Sequence, residues 1–140
     1  MGLMDNVVGQ LVEGSGAVGS GFIKLKQIDP TSVRQEISGM LIDGEQVIGA
    51  FQAMRDQVIF TNARIITIDV QGFTGSRKSY KSQPYSKISQ FTIQTTGFIE
   101  LFPDQELWIV DTSGRSCRYD FSDAIDIGPI VKMIARYVCK

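Results

Sequence analysis

Three glycines, Gly14, Gly16 and Gly19, stand in the stretch VEGSGAVGSGF (residues 12–22) at the spacing G-x-G-x-x-G that can lay a backbone against a pyrophosphate. That chemistry needs a buried strand running into the glycines and a helix leaving them, so that the helix N-terminus meets the phosphates. Both neighbours differ here. Upstream, Leu3, Met4, Val7, Val8, Leu11 and Val12 follow a helical period, and downstream FIKLKQIDP reaches Pro30 before a helix can develop. The glycines therefore read as a tether of residues 14–21, spanning on the order of 16 Å, behind an amphipathic helix over residues 1–13.

Acid–base chemistry fares no better. The chain has no histidine, which removes the usual neutral-pH base, the usual partner of a serine or cysteine nucleophile and the commonest transition-metal ligand. Asp104 and Glu106 sit at i and i+2 on one face of an extended segment beside Trp108, with no nucleophile or phosphate cradle near them, and read as a solvated strand face. Of the two cysteines, Cys117 alternates with Tyr119 and Phe121 in CRYDF and reads as a core side chain, and Cys139 has no framework partner pattern. We expect no enzyme activity, no cofactor and no metal.

Charge is more informative in its distribution than in its total. Fourteen basic and fifteen acidic residues leave a net charge of -1, which offers nucleic acid or an anionic bilayer no global attraction. Residues 75–87 nevertheless carry Arg77, Lys78, Lys81 and Lys87 without an acid, whereas 99–111 carry Glu100, Asp104, Glu106 and Asp111 without a base. Unlike patches on one subunit suit a head-to-tail contact between copies. No apolar run approaches the roughly 20 residues of a membrane span and no basic leader precedes an apolar stretch, so the expected location is the cytoplasm.

The elements that position these residues are legible from their punctuation. Asp29 and Pro30 open an expected second helix carrying Val33, Ile37, Met40 and Leu41, which Asp43-Gly44 ends. Period-two segments follow at 46–54, 57–61, 63–69, 75–83, 86–95, 105–111 and 115–121, the first two separated by Arg55-Asp56 and the last two by Thr112-Ser113-Gly114. The dense β-branched residues of ARIITID predict burial on both faces, and a slip in the alternation of Ile88, Phe91 and Ile93 predicts a bulge. Asp126 and Pro129 begin a last helix whose stripe is Ile127, Ile130, Val131, Ile134, Ala135 and Val138. The predicted fold is mainly β: a seven-stranded bent sheet or partly open barrel capped by a C-terminal helix, with further helices near the N-terminus, the arrangement of the pleckstrin-homology superfold.

The segments MGLMDNVVGQ, RDQVIFTNARIITIDVQGFTGSRKSYKSQPYSKISQFTIQTTG (55–97), ELWI (106–109) and IVKMIARYV carry a more particular likeness. In them the chain resembles the bacterial pleckstrin-homology-like domains, small stand-alone proteins of unassigned cellular function. The Gly-rich tether and FIELFPDQ depart from that pattern. The resemblance implies a pleckstrin-like barrel over residues 22–140, no enzymatic activity and closed homo-oligomeric rings. The expected function is thus a non-catalytic domain that associates with itself and serves as an interaction scaffold. Its candidate surface is Arg77, Lys78, Lys81, Lys87, Asp104, Glu106 and Trp108, and its candidate docking helix presents Leu3, Met4, Val7, Val8 and Leu11. An unidentified protein or peptide is a further expected partner, and nucleic acid is not. Binding of an anionic lipid surface through the basic patch is the alternative, weakened by a first helix whose charges, Asp5 and Glu13, are both acidic.

Overall fold

A computed structural model describes residues 21–96, 104–122 and 125–140. The N-terminal helix with Leu3, Met4, Val7, Val8 and Leu11, all of the tether but Gly21, and the 97–103 connection lie outside the described residues. The described strands are β1 (Gly21–Gln27), β2 (Val47–Ala53), β3 (Asp56–Thr61), β4 (Arg64–Gln71), β5 (Arg77–Pro84), β6 (Ile88–Thr96), β7 (Asp104–Asp111) and β8 (Ser116–Phe121), followed by helix α1 (Gly128–Val138). They form one bent sheet in the order β5-β4-β3-β2-β1-β8-β7-β6, so β5 and β6 are its two edges although they are neighbours in sequence.

The mainly β, helix-capped architecture is as expected, with two differences. An eighth strand, β1, joins the two halves, pairing antiparallel with β2 and parallel with β8. A register shift between Phe22 and Leu25, with Lys24 at φ 57°, breaks the alternation, so no period of two marks this strand in the sequence. The second difference is the absence of the expected helix after Pro30. Two short 3₁₀ turns, Pro30–Ser32 and Gln35–Ile37, stand there instead, separated by extended Val33 and Arg34. The Arg34 N–H donates to Gln57 Oε1 at 3.1 Å rather than to a helical carbonyl, so a tertiary contact wins over local propensity. Asp29 still accepts from Thr31 N at 2.8 Å, and Val33, Ile37, Met40 and Leu41 still face the sheet.

That segment makes β2–β4 apolar on both faces. Inside the barrel, Leu25, Phe51, Val58, Phe60, Ile65, Leu107, Ile109, Tyr119 and Phe121 pack with Ile127, Ile130 and Ile134 of the helical end. Phe51 meets Phe121 edge-on at a centroid distance of 4.9 Å. A Cβ on Gly49 would lie 3.2 Å from the Phe51 ring and 3.3 Å from Ile130 Cδ1, so a glycine there lets α1 seat closely on β2. On the outer face, Ile37, Ala50, Ile59, Ile66, Ile68 and Val70 form a second cluster beneath Ile28, Val33, Met40 and Leu41. The pattern of β4, with Ile65 inward and Ile66 and Ile68 outward, bears out the expected two-sided burial.

The segment is anchored by charge as well as packing. Glu45 is buried, and its carboxylate accepts from Arg64 Nε at 2.9 Å, Arg64 Nη2 at 3.0 Å, Thr61 Oγ1 at 2.6 Å and Ile42 N at 3.1 Å. Arg64 Nη2 also donates to Met40 O at 2.6 Å, and Tyr85, fully buried, donates to Thr61 O at 2.6 Å. Burial would raise the Glu45 pKa, but the hydrogen bonds from Arg64, Thr61 and Ile42 outweigh it and hold the carboxyl below its usual 4.5. A depressed acid contributes stability above its unfolded pKa and loses that contribution as the pH falls through its folded value.

Arg64→Met should therefore cost about 2–4 kcal/mol by leaving a buried carboxylate unpaired. Urea unfolding of the wild type should show stability falling below about pH 4.5, and Glu45→Gln should flatten that fall. An unchanged pH profile in Glu45→Gln would remove the pair from its anchoring role.

Candidate functional site

The structure separates the basic residues of the candidate surface. On edge strand β5, Arg77 and Lys78 are exposed and alternate, as do Lys78 and Tyr80 with Lys81 and Gln83. Lys78 Nζ lies 3.1 Å from Glu36 Oε1, which also accepts from Tyr80 OH at 2.8 Å, so this face of β5 is latched to the segment over the outer cluster. The backbone and the Tyr80 and Lys78 hydrogen bonds hold the Glu36 carboxyl at about 2. Lys87 is exposed in the 3₁₀ turn Tyr85–Lys87 that links the two edge strands.

Lys81 is only partly exposed and turns to the other side. With Gln83 it borders a recess between β5 and the β7–β8 hairpin, in two adjoining lobes of about 20 Å³ each. Phe22, Ile65, Ile109 and Tyr119 line its apolar side, and Asp111, Arg115 and Ser116 its polar mouth, with Cys117 common to both lobes.

On β7, Leu107 and Ile109 enter the core, so Glu106 and Trp108 lie on the opposite face, and Asp104 opens the strand. Trp108 Nε1 donates to Glu106 Oε1 at 2.9 Å, and the Arg118 guanidinium sits 5.7 Å from the Trp108 ring centroid. Among the described residues Trp108 belongs to neither hydrophobic cluster, and Arg118 Nε is buried without a hydrogen-bond partner. Pairing across β7 and β8 sets Glu106 opposite Asp120, which gives this face its acidic border.

The sequence did not point to a third feature. Met54 and Phe73 are 94% and 108% exposed, at the tips of the β2–β3 and β4–β5 turns. Arg55 Nη1 donates to Gly72 O at 2.5 Å, which holds the two tips together beside Arg77. The β2–β3 turn is Met54-Arg55, one residue earlier than expected, with Met54 at φ 55°. Neither residue is a usual turn former. Phe73, between Gly72 and Gly75, was the readable signal, since an aromatic inside a Gly-bounded turn has no strand face to enter.

Among the described residues, no group of three or more His, Cys, Asp and Glu side chains could hold a metal ion, and no helix is long and apolar enough to cross a membrane. The bent sheet sealed by one C-terminal helix defines a pleckstrin-homology-type domain. The sequence profile of the bacterial PH domain matches residues 17–138, and the chain belongs to that family. It is 32% identical over 108 residues to the uncharacterized protein YjqA of Bacillus subtilis, covering 77% of this chain and 86% of that one. The uncharacterized protein YozO of the same organism is 27% identical over 105 residues, covering 75% and 89%. Two crystal structures share the fold. A pleckstrin-homology protein of the DUF1696 family from Shewanella loihica superposes with a TM-score of 0.66 at 31% identity, covering 84% of this chain and 99% of that one. A pleckstrin homology domain from Shewanella amazonensis gives 0.57 at 34% identity, covering 79% and 89%.

The two thiols should differ in reactivity. Burial pushes the Cys117 thiol up to about 11, against the smaller pull of its neighbours, whereas Cys139 is exposed. Alkylation of the native protein at mildly alkaline pH should modify Cys139 first, and Cys139→Ser should abolish the fast phase. A fast phase surviving in Cys139→Ser would place Cys117 in an open environment.

Proposed function

We propose that this domain is a non-catalytic, cytoplasmic interaction module whose partner in the first instance is a second copy of itself. The observation that carries the reading is Trp108, a large aromatic on the outer face of β7 that belongs to neither hydrophobic cluster and is flanked by Arg118. Tryptophan and arginine are the side chains most often found at the energetic centre of protein interfaces. The acidic border made by Glu106 and Asp120 is complementary to the cationic β5 edge and turn, where Arg77 and Lys87 are exposed. Faces of opposite charge at different places on one subunit fit a head-to-tail contact, which closes into a ring when the rotation allows.

Native mass spectrometry of the full chain at micromolar concentration should show an oligomer. Trp108→Ala should weaken it by about tenfold or more, and Arg77→Glu with Lys87→Glu should do so in a salt-sensitive way. A monomer throughout that range ends this reading.

A second reading rests on the exposed tips. Met54 and Phe73 with Arg55 and Arg77 combine apolar side chains with nearby cations, a pairing suited to the interface of an anionic bilayer. Sedimentation with vesicles rich in phosphatidylglycerol should then fall several-fold in Met54→Ser with Phe73→Ser. Equal sedimentation of the variant and the wild type would exclude these tips from membrane contact.

A further inference from the structure

We propose that the amphipathic segment of residues 1–13 folds back on its own domain and covers the outer face of β7 and β8, over Trp108. Alternation defines that face. Ile109, Tyr119 and Phe121 enter the core, so Trp108 and Val110 of β7 and Ser116 and Arg118 of β8 point outward. Among the described residues no segment is packed on them, because the outer cluster draws only on the half containing β2–β4. A one-layer sheet leaves its outward atoms open to water. Ser116 Oγ and Arg118 Nε are nevertheless buried, and neither has a hydrogen-bond partner among the described residues. The Trp108 ring shields the Arg118 guanidinium from one side only. A cover that hides both atoms and offers neither an acceptor is what aliphatic side chains provide.

The cover is narrow. On β6, Gln90 and Thr92, which pair with Val110 and Trp108, are exposed. The hidden strip therefore spans two strands, about 10 Å, which is the width of a single helix.

Position selects the occupant. Residues 97–103 join Thr96 to Asp104, at the opposite end of β7 and about 20 Å from Val110 and its partner Ser116. Residues 123–124 follow the far end of β8, where Ser122 N donates to Leu25 O at 3.0 Å. Residues 1–20 instead enter at the strip itself, since Gly21 pairs with Arg118 and Arg118 with Trp108. Two strand spacings, about 10 Å, separate Gly21 from Trp108, within reach of the Gly-rich tether. The stripe of Leu3, Val7 and Leu11 has this face to bury against, because the outer face of the other half is already filled. So short a link gives the segment a high effective concentration at its own sheet, ahead of any second copy. The cover goes beyond the self-association proposed above and sets a condition on it. Both use Trp108, so a second copy can take the face only when the segment leaves.

Trp108 is the one tryptophan of the chain, and its emission reads the cover directly. The test is acrylamide quenching of the full chain at a dilution at which native mass spectrometry shows monomer. The wild type should be protected. Leu3→Ser with Val7→Ser and Leu11→Ser should quench several-fold more efficiently and emit further to the red, with the circular dichroism of the sheet unchanged. Val8→Glu alone should act in the same direction, and Met54→Ser, on a remote turn tip, should leave quenching as it is. Equal quenching of the wild type and the triple variant, or exposure that comes only with loss of the sheet signal, would overturn the cover. Protection that appears only as concentration rises would overturn it too, and would assign the face to a second copy. The released variant should also form oligomers several-fold more tightly than the wild type. Quenching decides the cover and mass spectrometry decides self-association, so either can fail alone.

Discussion

The contact on which most of this structure depends is the buried pair of Glu45 and Arg64. One carboxylate and one guanidinium join three parts of the chain: the segment before β2, through Glu45 and the Met40 carbonyl; the β3–β4 turn, through Thr61; and β5, through Ser82. The same turn is held from the other side. Asn62 exchanges hydrogen bonds with Gln46 and donates to Gly44 O, Tyr85 donates to Thr61 O, and Tyr137 of α1 donates to Asn62 O at 3.1 Å. A buried ion pair alone contributes little net stability, because desolvation offsets attraction. Its effect here is registry: it fixes where the covering segment lies, and the apolar clusters then supply the burial energy.

This anchoring makes the two halves of the sheet unequal. The outer face of β2–β4 is filled by Ile37 and its neighbours, so that half is a three-layer structure whose exposed apolar side chains, Ile42, Met54 and Phe73, lie in connections and turn tips and not on the sheet face. The half containing β7 keeps a Trp108–Arg118 pair on its outer face, joined to no cluster. The self-association proposed above would therefore use the second half, on the position of this pair as well as on residue type.

The sequence disclosed what depends on periodicity and hid what depends on contacts. Seven strands were legible because β-branched residues alternate between turns marked by Gly72 and Gly114, both at positive φ, and the bulge was legible as the slip near Ile88. α1 was legible from its stripe, with Asp126 Oδ1 receiving Gly128 N at 2.9 Å beside Pro129. β1 was hidden because its bulge puts Phe22 and Leu25 three residues apart and because its parallel partner β8 lies almost a hundred residues away. The helix expected after Pro30 failed because the apolar spacing of Val33, Ile37, Met40 and Leu41 reports only that one face is buried, and two short turns satisfy it equally. Among surface residues, the charge runs were readable, but their division was not. Lys78 is consumed by Glu36 and Lys81 turns to the recess, a separation set by the alternation of β5 and by which segments cover its faces.

The open seam follows from β1 itself. By inserting between β2 and β8, β1 widens the sheet to eight strands and carries β5 and β6 to its two ends. The short turn Tyr85–Lys87 brings the chain from one edge to the other but supplies no ladder between them. On the β5 side, the inward positions near the seam are Lys81 and Gln83, which face Ile109 and Cys117 across a gap too narrow for another strand. Had these two positions been valine or isoleucine, the gap would have closed as core and the edge would have presented a flat apolar strand to other chains. Polar side chains at an inward-facing edge thus keep the barrel incompletely closed and deny other chains a flat apolar strand to pair with.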